Sequence, residues 1–262
     1  MTVSLEDILL FKPFKDLVEK AKSLLLDNVE EQNFKLGEQL IDEGSIPGRI
    51  LVIKSGCARS LLREDGKLKN FRKCNRGEII GAASILNGYA CENYTAGENL
   101  VAFSIEEEIW EKLYLLDNDF KVWCDSNLWN EEISTLITKK FENYPKEISN
   151  LREIIERCFE NFELLTIDDQ INLDKINNEN YVFNLSAIKK SKNTLIPINK
   201  LDKSSSNLKY SARYLKIKKS YYDNFFEIEN DNSLSIDIST DIKEENERDF
   251  KNLLSIRSGK II

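Results

Sequence analysis

Phe34-Lys35-Leu36-Gly37-Glu38-Gln39-Leu40-Ile41-Asp42-Glu43-Gly44 opens a stretch in which short apolar or β-branched runs alternate with turn residues. The runs at 40–41, 50–53, 58–62, 71, 79–80 and 100–103 are separated by turn signals at Gly44, Pro47-Gly48, Ser55-Gly56, Asp65-Gly66, Arg76-Gly77 and Asn87-Gly88. Nine of the ten glycines lie between Gly37 and Gly97, and glycine so concentrated marks tight turns between short strands. The spacing predicts an all-β barrel or jelly roll. Asp65-Gly66, between 58–63 and 69–73, predicts a hairpin, because that dipeptide tolerates the positive φ of a tight turn.

Helical patterns flank this region. Ser4-Leu5-Glu6-Asp7 has the form of a capping box, and Leu17, Val18, Ala21, Leu24 and Leu25 recur at helical spacing. Ser104-Ile105-Glu106-Glu107 reads as the cap of a helix carrying Ile109, Trp110, Leu113, Tyr114 and Leu116. Helical periodicity continues over 128–141 and 145–164, with Pro145 suited to a first helical position. Ile148, Leu151, Ile155, Cys158 and Phe162 form one apolar stripe, ordinarily core and less often a dimer interface. The carboxylates at 106–108 and at Glu131-Glu132 read as helix caps and solvated faces.

From about Asp168 the composition shifts to Asn, Lys, Ser, Asp and Ile, with a basic block over 189–219 and an acidic one over 223–249. Such a segment reads as a solvated linker whose halves attract each other. Strand-like stretches at 181–187 and 209–216 leave a small accessory fold open. The expected organisation is 1–125 as a β-roll with flanking helices, 126–167 as a helical extension, and 168–262 as a linker or small accessory region.

Composition removes whole classes of function. The chain has no histidine, which closes Ser-His, Cys-His and most zinc-hydrolase mechanisms, and the His-rich metal site of a cupin with them. Cys57, Cys74, Cys91, Cys124 and Cys158 form no C-x-x-C pair, the pattern of reduced thiols. There is no G-x-x-x-x-G-K-[ST] phosphate loop. A formal net charge of -8 argues against a nucleic-acid footprint spread over the chain. The amino terminus is acidic where a signal peptide needs basic residues, and no run approaches the roughly 18 apolar residues of a membrane span. A cytoplasmic protein is expected, with no enzyme activity, cofactor or metal.

Three patches in fixed order carry a family resemblance. Residues 34–44 resemble the F-x-x-G-E-x-[IL]-x-x-x-G strand pair that opens the β-roll of the cyclic-nucleotide-binding-domain family. Ile50-Leu51-Val52-Ile53-Lys54-Ser55-Gly56-Cys57-Ala58-Arg59 resembles the next strand, its glycine turn and the strand that follows. Gly77-Glu78-Ile79-Ile80-Gly81-Ala82-Ala83-Ser84-Ile85-Leu86-Asn87-Gly88 is similar to the phosphate-binding cassette. The resemblance covers about residues 4–125. It implies an α+β chain: a double-stranded β-helix (jelly roll) flanked by helices, then a helical segment and a low-complexity C-terminal region.

The same resemblance implies how the cassette works. A short helix after Gly81 offers backbone N–H groups to a cyclic phosphate. A glutamate after the glycine takes the ribose hydroxyl, and a downstream arginine pairs with the phosphate. Those two positions are Ala82 and Cys91 here, and Cys91 is followed by Glu92. Each missing charged hydrogen bond costs about 1.5–3 kcal/mol, enough together to weaken a micromolar ligand by about two orders of magnitude or more. Glu92 adds repulsion toward a phosphate if it points inward. The candidate lining of this degenerate cassette is Gly81, Ala82, Ala83, Ser84, Cys91, Glu92, Tyr94 and Thr95.

A second likeness is narrower. Gly81-x-x-Ser84-Ile85-Leu86-x-Gly88-x-x-Cys91-Glu92 followed by Ala96 resembles the cyclic-nucleotide-binding-like domain at the front of some cyanobacterial type I secretion ABC transporters that carry a peptidase domain. The resemblances imply a non-catalytic regulatory or docking module, associated with such an exporter. The alternative is a transcription regulator of the catabolite-activator type that senses a small ligand. Its helix-turn-helix is not legible after Leu164. The expected partners are a small anionic ligand or cyclic nucleotide, and a protein or second copy docking on the helices after Ser104. Nucleic acid is not expected.

Overall fold

The structure is a computed structural model that describes residues 5–64, 66–140, 148–167, 180–186, 195–196, 209–218 and 220. The alternating region becomes eight strands: β1 Glu30–Phe34, β2 Gln39–Ile41, β3 Arg49–Ser55, β4 Ala58–Glu64, β5 Lys67–Cys74, β6 Ile79–Ile80, β7 Tyr94–Ala96 and β8 Leu100–Glu106. They form two four-stranded antiparallel sheets, ordered β1-β8-β3-β6 and β2-β7-β4-β5. The expected β-roll flanked by helices is therefore the fold. Strand β3 shows why it closes. Ile50, Leu51, Val52 and Ile53 are all buried, and successive side chains point to opposite faces of a strand. Leu51 and Ile53 enter the roll with Leu40, Ala58, Tyr94 and Ala102. Ile50 and Val52 face the helices, packed with Leu25, Phe103 and Trp110.

The predicted hairpin joins β4 to β5, with Gly66 at φ 75°. The amino-terminal helices begin as 3-10 turns at Leu5–Leu10 and Phe14–Asp16, followed by α1 Glu19–Asn28. Ser4 lies outside the described residues, as does Pro145. The short helix after Gly81 is α2 Ala82–Asn87, and the helix after β8 is α3 Glu107–Leu116. Ser104 does not cap it. Ser104 is a buried residue of β8, held between Glu30 of β1 and Leu51 of β3, so two-sided pairing carries the strand past the cap signal. An unanticipated helix, α4 Asn118–Ser126, follows. Its cap is the Asp117 carboxylate, which accepts the Phe120 N–H at 2.9 Å and the Val18 N–H at 2.7 Å.

Helices α5 Asn130–Lys140 and α6 Ile148–Asn161 complete the helical part. Leu151, Ile155 and Cys158 of the predicted stripe pack with Phe71, Ile133 and Ile137, so these positions are used inside the chain. The helical reading through 164 overshoots: Phe162–Ile167 is strand β9, paired with β12 Ala212–Lys218 from Phe162↔Ile217 to Ile167↔Ala212. With β10 Asn180–Asn184 and β11 Leu195–Ile196 it forms a sheet ordered β11-β10-β12-β9. Strand β10 and much of β12 fall on the two strand-like stretches, and the segments expected at 126–167 and 168–262 thereby share one sheet. The acidic block and most of the basic one lie outside the described residues. No described helix is long and apolar enough to cross a membrane.

Candidate functional site

The helical part of the cassette begins at Gly81, whose φ of 94° turns the chain from β6 into α2. A side chain does not fit there, since a Cβ would lie 2.9 Å from the Arg49 carbonyl oxygen. The turn aims the first amides of the cassette one way, and the group they meet belongs to the chain itself. Glu92 Oε1 accepts the Gly81 N–H at 2.7 Å, and Oε2 accepts the Ser84 N–H at 2.8 Å. The return of the chain is fixed by the Ser84 hydroxyl, which accepts the Cys91 N–H at 3.1 Å, and by the Tyr89 N–H on the Ser84 carbonyl at 3.2 Å.

Glu92 is 1% exposed. Burial raises its pKa and the nearby Glu131 carboxylate raises it further, while the bonds from Ser84 and Gly81 pull it back, leaving it at about 7. The Cys91 thiol is pushed well above its ordinary value by burial and then by Glu92, so the residue that the family resemblance sets where an arginine is expected is a neutral thiol.

An arginine reaches this region from β5. Arg72 donates Nε to Glu131 Oε1 at 2.9 Å, Nη1 to Glu78 at 2.6 Å and Nη2 to the Tyr94 hydroxyl at 3.3 Å. Glu131 and Glu132, expected on a solvated face, are 1% and 0% exposed. The first turns of α5 are enclosed on every side, residues 131–135 being buried, and each carboxylate is taken in by an arginine. Glu132 Oε1 accepts Asn87 Nδ2 at 2.6 Å and Arg213 Nε at 2.7 Å. Its Oε2 accepts the Trp129 N–H and Arg213 Nη2, both at 2.9 Å.

Of the residues singled out from sequence, Gly81, Ser84, Cys91 and Glu92 converge. Tyr94 joins them through Arg72 and Glu131. Ala82 and Ala83 instead pack in the helical core. Thr95 falls on the opposite face of β7 from Tyr94 and pairs with Arg59 across the strands. Sequence reasoning missed Arg72, Asn87, Glu131, Glu132 and Arg213. A signal existed for Arg213: strand alternation sets it on one face with Leu215 and Ile217, and an arginine on an apolar face marks a buried charge in need of a partner.

Residues 31–117 match the family model described as the cyclic nucleotide-binding domain. A comparison with curated proteins finds no match. Among solved structures, the regulatory subunit of a cAMP-independent protein kinase A from Trypanosoma cruzi bound to guanosine is similar at 18% identity and TM-score 0.45, over 53% of this chain and 49% of that one. The sensor domain of the transcriptional regulator DNR from Pseudomonas aeruginosa is similar at 15% identity and TM-score 0.39, over 53% and 89%. The regulatory domain of Toxoplasma gondii PKA, solved with cAMP, is similar at 9% identity and TM-score 0.41, over 98% and 96%. The chain spans about half the length of the Trypanosoma cruzi subunit it matches. The β-roll has the cyclic-nucleotide-binding fold.

Proposed function

We propose that this β-roll is a non-catalytic regulatory or docking module with a degenerate phosphate-binding cassette, its anion cradle held by the chain's own Glu92. The observation that carries the reading is the pair of bonds from the Gly81 and Ser84 amides to one buried carboxylate. A phosphate would have to expel Glu92 or lie beside it. Above its pKa of about 7, where Glu92 is ionised, two unit charges about 4 Å apart repel by about 4 kcal/mol at an effective dielectric of 20, on the order of three powers of ten in affinity. Ala82 supplies no group for a ribose hydroxyl, and Cys91 supplies no cation.

The functional output then lies in contacts made by the surrounding helices, with a protein partner or a second copy on those after Ser104. The narrower likeness of the cassette supports a cytoplasmic role beside a secretion ABC transporter. The described segments from 162 to 218 are strands rather than a helix-turn-helix, which favours the docking module over a transcription regulator. Calorimetric titration with cAMP, cGMP and cyclic dinucleotides tests the reading. The expected result is no binding heat from folded protein. Micromolar binding, accompanied by shifts of the Gly81 and Ser84 amide resonances, would overturn it.

A further inference from the structure

We infer that strand β12 regulates the cassette from behind: the buried Arg213–Glu132 pair, continued through Asn87, ties the C-terminal sheet, α5 and α2 into one unit, so that displacing β12 loosens the cassette. The inference rests on the regulatory reading of this β-roll and names the regulation of that same site.

The connection is continuous. Arg213 is 1% exposed, and its guanidinium reaches both oxygens of Glu132, the Cys124 carbonyl at 2.9 Å and the Asn127 carbonyl at 2.6 Å. It lies 5.2 Å from the centre of the Trp129 ring. One side chain thus fixes the end of α4, the turn after it and the start of α5. The oxygen of Glu132 that takes Arg213 Nε also takes Asn87 Nδ2, and Asn87 donates in turn to the Ala83 carbonyl of α2 at 2.8 Å. Helix α5 touches the other end of the cassette too, where Thr135 Oγ1 donates to the Cys91 carbonyl at 3.3 Å.

The strand has its own anchors at this seam. Arg213 N–H donates to Ser186 Oγ at 2.8 Å, and the Ser211 hydroxyl sits 2.8 Å from the Tyr114 hydroxyl and 3.0 Å from Asp125 Oδ2. If β12 leaves, Glu132 keeps Asn87 and the Trp129 N–H but loses its counter-charge beside Glu131, and a buried charge without its ion partner is costly, which favours a rearrangement of α5 that relieves it. The elements within reach of that shift are α2 and the return through Cys91 and Glu92. Coupling of this kind is reciprocal, so loosening the cassette end must be felt at β12.

Hydrogen exchange on the full chain tests this. Arg213→Gln is expected to speed exchange of the cassette amides, Ser84 above all, by about tenfold or more, with the central amides of β3 and β8 unchanged. Acceleration confined to β9, β10 and β12 would overturn the inference. Should Arg213→Gln fail to fold, Asn87→Ala decides from the other end: faster exchange at Arg213 and Leu215 supports the coupling, and a change confined to α2 sinks it. Nucleotide binding would overturn the docking reading yet leave the exchange coupling in place, so the two failures are distinguishable.

Discussion

Glu92 and Ser84 are bound to each other through both main chain and loop: the Glu92 carboxylate takes the Ser84 N–H at 2.8 Å, while the Ser84 hydroxyl takes the N–H of Cys91, the residue before Glu92. Two of the amides that a cradle of this kind offers to an anion, those of Gly81 and Ser84, are thereby satisfied from within. Because the acceptor is an acid whose pKa lies at about 7, the bond is sensitive to protonation in the neutral range.

Stability should report that acid. The carboxyl is raised from the ordinary glutamate range to about 7 in the fold. Between the two values the folded state holds a proton that the unfolded state has released. Stability therefore falls as pH rises from about 4.5 to about 7. Glu92→Gln removes this contribution. Denaturation midpoints measured from pH 5 to 8 should show the variant gaining on the native protein as pH rises; parallel curves would contradict the assignment.

Gly81→Ala should destabilise the β-roll more than Gly66→Ala. Both glycines have positive φ, which costs a non-glycine residue about 1–2 kcal/mol. At Gly66 a Cβ meets nothing within 4 Å, whereas at Gly81 it also collides with the Arg49 carbonyl at 2.9 Å. Thermal melting of the two variants checks the order.

Arg213→Met should cost about 3–5 kcal/mol, since it leaves Glu132 charged and buried with one partner gone. The double variant with Glu132→Gln should recover part of that loss. Chemical denaturation of the single and double variants gives the coupling, and strict additivity would contradict an interacting pair.

Asp117→Ala removes the side-chain cap of α4 and the acceptor of the Val18 N–H. A lost cap costs about 0.5–2 kcal/mol, and loss of the Val18 tie adds to it because the amino-terminal segment packs through Phe14 on Trp110 and Phe120. Trp fluorescence on denaturation follows the change; an unaltered midpoint would show that neither bond contributes.

The fold was legible where local chemistry and topology agree. Glycine turns and apolar runs mark strands whatever lies around them, and Gly66 and Gly81 sit where positive φ is required. Legibility failed where a distant partner decides. Nothing local separates a helical continuation from a strand at Phe162–Ile167, because its strand identity comes from pairing with β12 some fifty residues on. Glu131-Glu132 read as solvated for the same reason: their arginines, Arg72 and Arg213, lie far away in sequence. In the sequence, Ala82 and Cys91 read as departures from the cassette's pattern, and Glu92 reads as one of its lining residues and a repulsive charge. Its role as acceptor for two amides depends on the fold of the Ser84–Cys91 return, which the sequence does not display.

The measurement that bears most directly on the central claim is a pH titration of the Gly81 and Ser84 amide resonances in the native protein and in Glu92→Gln. Two amides bonded to one carboxylate should shift together, with a common midpoint at about 7, and the variant should show no such transition. Amides that do not titrate across this range, or that titrate alike in both proteins, would contradict the claim that Glu92 is the anion held in the cradle.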